Sequence, residues 1–309
     1  SLLSLTNPLI KTYRIMKKIQ INVPSGIKYL SDWDELWYLL PNDRPFILNK
    51  RICGCGATEM YIRSDKKVIL ASPRKHLLYN KYSQHFSDNL YLYRFQGDKK
   101  KYFESKASSE KEILAFNDDL AEYIKHGENK ILTTYDSLGK IMEVLVDLGE
   151  DLNEWIVVVD EFQVIFYDCH FKPTTEHELS EVLQRFTQVI YLSATPFLES
   201  YLDMTVQFKS LPIYEFLWPE SMTKLPDVEV IKSRKSVLEL CKGLIEKYRS
   251  GNGRSTMVNG EEFIAKEAVF YINSVSEIIK IIKKSGLKPE ETTIICSSKS
   301  DNIKKLDEL

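Results

Sequence analysis

The chain lacks any apolar stretch near the roughly 20 residues that a bilayer crossing requires, which predicts a soluble protein. Its N-terminal residues lack the apolar core of a secretion signal. Its five cysteines are an odd count without the spacing of a disulfide framework, so a reduced, intracellular, cytoplasmic setting is expected. Cys53 and Cys55 have no second pair at zinc-site spacing and read as small packed thiols. Excess positive charge is missing too. A formal net charge of −2 excludes a uniformly basic protein and confines any nucleic-acid surface to a local patch. There is no internal repeat and no low-complexity tract. What is present is ordinary globular composition, 309 residues with 43% hydrophobic and 28% charged, enough for about two domains.

The chain repeats a simple order of strand, loop and helix. Five apolar runs read as buried strands: Phe46–Asn49, Val68–Pro73, Lys130–Ser137, Val157–Val159 and Val189–Leu192. Helix-length spacers separate them, the pattern of an α/β doubly wound parallel sheet. Residues 1–35 read as a lead-in packed on a first domain spanning 36–222. The stretch Leu211–Pro226 carries Pro212, Pro219 and Pro226 and is expected to hold the domain boundary, with Trp218 plugging the seam. Beyond it, the sequence predicts helices over Ser233–Tyr248 and Val275–Lys284 and strands over Ala268–Ser274 and Thr292–Ser297. That second unit, 223–309, has too few strands to bury both faces of a sheet and reads as a truncated domain.

The chemistry concentrates where two of these strands end. The run Val157-Val158-Val159 leads straight into Asp160, Glu161, Phe162 and Gln163. Adjacent carboxylates at the end of a buried strand are costly unless a cation sits there. Such a pair can hold magnesium and polarise a water. The bland reading, an acid-capped helix start, needs only one of them. A helix later, Leu192-Ser193-Ala194-Thr195-Pro196 forms a Ser/Thr turn before a helix.

Together the two segments resemble motifs II and III of the superfamily 2 helicases and translocases. Asp-Glu-Phe-Gln also occurs in superfamily 1, and Leu-Ser-Ala-Thr-Pro is the more discriminating string. The resemblance implies a RecA-like P-loop ATPase domain followed by part of a second, with ATP and Mg2+ as cofactors. Within it Asp160 would hold the metal, Glu161 would activate the attacking water and Gln163 would reach the phosphates or motif III. Ser193 and Thr195 would couple nucleotide state to domain movement.

A P-loop places a Lys on the outer phosphates and a hydroxyl on magnesium. Here the corresponding Walker A run is Arg51, Gly54, Cys55, Gly56, Ala57 and Thr58. Thr58 fits the metal role, Ala57 stands where the Lys belongs and Arg51 replaces the first glycine. Glu59 would repel a triphosphate if it faced the loop. In one reading Lys50, or Arg51, folds over the loop and supplies the missing charge. In the other the loop is a glycine turn serving close packing.

The nucleic-acid partner implied by the resemblance, DNA in preference to RNA, would lie across the open edge of the sheet. Its contacts would come from Arg74 and Lys75 at a helix start, from Thr133, Thr134 and Tyr135, and from Asn273 in a segment similar to motif IV. The run Asp98–Lys101 reads as a solvated face. An arginine finger would come from a further domain or partner, which predicts weak hydrolysis by this chain. Two other functions stay open: a nucleic-acid binding or scaffold protein that kept the helicase fold and lost catalysis, and a packaging or restriction-type translocase motor.

Overall fold

The computed structural model describes residues 18–85, 89–104, 109–168, 173–194, 208–220, 232–258, 261–272 and 274–294. They belong to two compact units, Ser1–Lys224 and Leu225–Leu309.

The first unit is built on one open eight-stranded sheet. In chain order its strands are β1 (Lys18–Asn22), β2 (Phe46–Asn49), β3 (Lys67–Ser72), β4 (Tyr91–Leu92), β5 (Lys130–Thr134), β6 (Trp155–Asp160), β7 (Gln188–Ser193) and β8 (Ile213–Leu217). They lie in the order β1-β8-β2-β7-β6-β3-β5-β4, and every neighbouring pair is parallel. The five runs read as central strands are β2, β3, β5, β6 and β7. Their near-continuous apolar character follows from burial on both faces.

Alternate residues of each strand serve opposite faces. Phe46, Leu48, Val68, Leu70, Val158 and Leu192 enter one core with Leu36 of α1 (Leu36–Leu39), Met60 and Tyr61 of α2 (Ala57–Ile62), Leu78 of α3 (Lys75–Gln84) and Tyr102 of α4 (Lys99–Glu104). Ile47, Ile69, Val157, Val159 and Tyr191 enter the other with Leu120 and Ile124 of α5 (Glu110–Lys125) and Ile141 and Leu145 of α6 (Leu138–Asp147). The start of α5 is set by a reciprocal cap: the Ser109 hydroxyl accepts the Glu112 amide, and the Glu112 carboxylate accepts the Ser109 amide at 2.9 Å, satisfying two otherwise orphaned donors.

Two strands differ from expectation. Lys18–Asn22, within the stretch read as a lead-in, is an edge strand of the sheet, running beside β8 from Lys18 opposite Ile213 to Asn22 opposite Leu217. The proline-bearing stretch expected to hold the boundary does contain the division between the two units, after Lys224, but it also contains an unexpected strand, β8, seated between β1 and β2. The prolines do not obstruct it because Pro212 and Pro219 flank the ladder. A proline lacks only the donor, and the Pro212 carbonyl still accepts the Ile47 amide at 3.0 Å.

The second unit holds the helices Val237–Arg249 and Val275–Ser285, near the predicted positions, around a small core of Cys241, Ile245 and Ile281. Its described strands are an antiparallel pair, Ser255–Val258 with Glu261–Ile264. The expected strand over Ala268–Ser274 is not formed among its described residues. Val269 and Tyr271 are 98% and 94% exposed, so the apolar run lacks the neighbouring strand it would need. Among the described residues of the whole chain, no helix is long and apolar enough to cross a membrane.

Candidate functional site

The carboxyl ends of β2, β7 and β6 lie side by side, with Asn49 opposite Ser193 and Asp160 opposite Leu192. Strand spacing of about 4.8 Å places the end of β6 roughly 10 Å from the end of β2. Only a long side chain bridges that gap. Lys50 does so: its Nζ lies 3.3 Å from Asp160 Oδ1 and 3.7 Å from Glu161 Oε1, and its side chain is 9% exposed. Its main chain extends the ladder, the Lys50 amide donating to the Ser193 carbonyl at 2.8 Å.

One ammonium faces two carboxylates, which leaves the cluster negative by one charge when all three are ionised. The titration directions follow. Burial opposes the Lys50 charge, but Asp160 and Glu161 outweigh it and hold the ammonium above the ordinary lysine value. Burial pushes the Asp160 carboxyl up, Lys50 only partly reverses this, and Glu161 adds to the rise. Such a carboxylate has capacity for a further cation.

The surrounding groups brace this cluster. Gln163 is buried and donates through Nε2 to Glu161 Oε2, while its own Oε1 is buried without a partner. Tyr135 donates its hydroxyl to the Asp160 carbonyl at 2.5 Å. Burial, reinforced by Asp160 and Glu161, holds that phenol well above its ordinary value, so it stays a donor. Glu161 itself is left-handed at φ 56°, a conformation costing a non-glycine residue about 1–2 kcal/mol.

The loop after β2 turns through Arg51 at φ 64°, Gly54 at φ 69° and Gly56 at φ 79° before α2 begins at Ala57. Cys55, Ala57 and Thr58 are buried. The Leu30 amide donates to the Cys55 carbonyl at 2.7 Å, so the preceding segment seals one side of the loop. A Cβ at Gly56 would lie 3.0 Å from Ser31 Oγ and from Tyr29 Cβ, which explains the glycine sterically. The amides of Gly54 and Gly56 take no backbone acceptor among the described residues. Burial raises the Cys55 thiol, consistent with a packed thiol, but Cys53 is exposed rather than packed.

Glu59 faces away from the loop. It meets His85 Nε2 at 2.7 Å, Arg63 at 2.7 Å and Lys81 at 3.9 Å, so its charge is spent on α2 and α3.

The structure thus brings together Lys50, Asp160, Glu161 and Gln163, with Ser193 on the strand between them. The nucleic-acid candidates are more scattered. Arg74 is exposed, whereas Lys75 donates to the Tyr102 carbonyl at 2.8 Å and lies over its ring. Thr133 is 1% exposed, and the Thr134 hydroxyl donates to Ser137 Oγ at 3.3 Å. Tyr135 has its hydroxyl on the carboxylate strand rather than at the surface. Thr195 and Asn273 lie outside the described residues.

Sequence reasoning missed three contributors. Glu215 is a buried carboxylate on β8, Asn49 ends β2 beside it, and Trp218 donates its indole N–H to the Lys50 carbonyl at 2.8 Å. Trp218 therefore braces the loop of the first unit, where a seam plug was expected. The one visible signal was a lone acid inside the apolar run Ile213–Leu217. Compared with models of protein families and with curated proteins, the chain matches none.

Proposed function

We propose that this chain is a helicase-like ATPase core, RecA-like in fold, that uses ATP with magnesium to move along or unwind nucleic acid. The observation that carries the reading is Lys50: its ammonium lies on Asp160 and Glu161, across a strand, despite the alanine at the usual lysine position. A glycine turn serving only close packing has no need of a buried cation aimed at two acids. The position agrees as well, because parallel sheets bind ligands at the carboxyl ends of their strands.

The donor set suits magnesium. That ion is typically held by one or two carboxylates together with substrate phosphates and water, and Asp160 carries charge that Lys50 does not fully balance. No group of three or more His, Cys, Asp or Glu side chains gathers as a metal site among the described residues, and none is needed. Asp160 and Thr58 would hold the ion, whose positive charge would offset the negative charge that develops in phosphoryl transfer. In this reading Lys50 leaves the carboxylates for the outer phosphates, freeing Asp160 for the metal, while Thr58 offers a hydroxyl. Glu161 orients and deprotonates the attacking water, and the unpartnered Gln163 Oε1 accepts a hydrogen bond from it. Ser193, buried between the acids and Lys50, transmits the change along β7. Arg74 is the exposed cation best placed to hold a backbone phosphate at the start of α3.

The test is nucleotide titration with and without magnesium, with phosphate release measured beside it, with and without single-stranded DNA. Magnesium-dependent ATP binding is expected, stabilising the protein by about 2.7 kcal/mol at a hundredfold excess over Kd. Lys50→Ala should weaken it, whereas Glu161→Gln should keep binding and slow turnover. The reading fails if the protein binds no ATP-magnesium, or if both variants leave a measurable hydrolysis rate unchanged.

A further inference from the structure

Glu215 is a charged side chain in a strand that otherwise packs apolar residues, and it is 3% exposed. A buried carboxylate persists only when donors surround it. Its Oε1 accepts from Asn49 Nδ2 at 3.1 Å and from Arg51 at 3.3 Å. Its Oε2 accepts from Gln20 Nε2 and Lys18 Nζ, both at 3.2 Å. Burial works against its charge, and these donors prevail, holding it below the ordinary glutamate value.

The arrangement is informative because of what Asn49 and Arg51 flank. They are the residues on either side of Lys50. Asn49 also accepts the Arg51 amide at 3.2 Å, and Arg51 sits in the left-handed region. Trp218, three residues beyond Glu215, holds the Lys50 carbonyl. The β8 segment therefore grips three consecutive residues where the chain must turn its lysine toward β6.

We infer that Glu215 is a positioning residue, which directs the Lys50 side chain at Asp160 and Glu161 by gripping Asn49 and Arg51 on either side of it. The purpose of that aim rests on the nucleotide reading above. The grip itself does not, and it is measurable without nucleotide.

The experiment is trace acylation of lysines in the intact chain, read by mass spectrometry of the Lys50 peptide. Lys67, paired with Glu150 and Glu154 at 2.7 and 2.8 Å, serves as the internal control. In the wild type Lys50 should be protected. In Glu215→Gln its labelling should rise about tenfold, the factor corresponding to 1.4 kcal/mol, with Lys67 unchanged. Arg51→Gln, at the exposed end of the same link, should shift Lys50 in the same direction. If Glu215→Gln also exposes Lys67, the fold has been disturbed and Arg51→Gln decides. Wild-type protection of Lys50 in Arg51→Gln, or in a folded Glu215→Gln, overturns the inference. ATP-magnesium titration separates the two claims. A wild type that binds no nucleotide but loses Lys50 protection in the variants sinks the nucleotide reading and leaves Glu215 as the positioning residue.

Discussion

Replacing Lys50 with Met should destabilise the first unit by about 3 kcal/mol, because it leaves two adjacent carboxylates facing each other without their cation. Breaking a buried ion pair on one side costs about 3–5 kcal/mol. The Asp160 and Glu161 side chains keep 14% and 28% exposure, so the lower bound applies. All four tryptophans, Trp33, Trp37, Trp155 and Trp218, precede residue 224, so urea unfolding followed by tryptophan fluorescence reports the unit that contains the site. With a urea slope of about 2 kcal/mol/M, the midpoint should fall by about 1.5 M. Two further measurements tie the loss to charge. Adding Asp160→Asn to Lys50→Met should recover most of it, because one of the two opposed acids is gone. The loss should also depend on pH. Burial already holds the Asp160 carboxyl above its ordinary value and Lys50 draws it down, so without the ammonium it rises further. A carboxyl raised by folding opposes folding once ionised, and that penalty disappears below the unfolded value near 3.9. The Lys50→Met penalty should therefore be smaller at pH 5 than at pH 8. A pH-independent loss, or a double variant no more stable than Lys50→Met, would refute the argument.

Gly56→Ala combines φ +79° with a Cβ 3.0 Å from Ser31 Oγ and Tyr29 Cβ, and should cost about 1–3 kcal/mol in the same fluorescence transition. A variant as stable as the wild type would mean that the loop is not packed against residues 29–31. Glu59→Gln should lower the unfolding midpoint, since it weakens the contacts to His85 and Arg63, and should leave ATP-magnesium affinity unchanged. Tighter nucleotide binding by Glu59→Gln in the titration would place that carboxylate at the phosphates after all.

The sequence by itself determined the five central strands and the place of the acids, because burial on both faces leaves runs such as Val157–Val159 with no polar residue, and only a strand end tolerates Asp160 and Glu161. It also named Lys50 as a possible substitute cation, without deciding between that and a glycine turn. Tertiary structure decided which side chains meet. Whether Lys50 reached the acids depended on β7 lying between β2 and β6, and the Lys50–Asp160 contact joins residues 110 positions apart. The direction of Glu59 depended on His85 across a helix interface. Strands β1 and β8 were obscured because one is an edge strand of mixed polarity and the other lies between prolines in the same stretch that holds the division between the two units. Glu215 was the least legible: a single acid in an apolar run reads as an irregularity until Lys18, Gln20, Asn49 and Arg51 are seen around it. Local periodicity reports which faces are buried, and only the folded sheet, pairing Asn49 with a residue 166 positions away, shows which charges meet there.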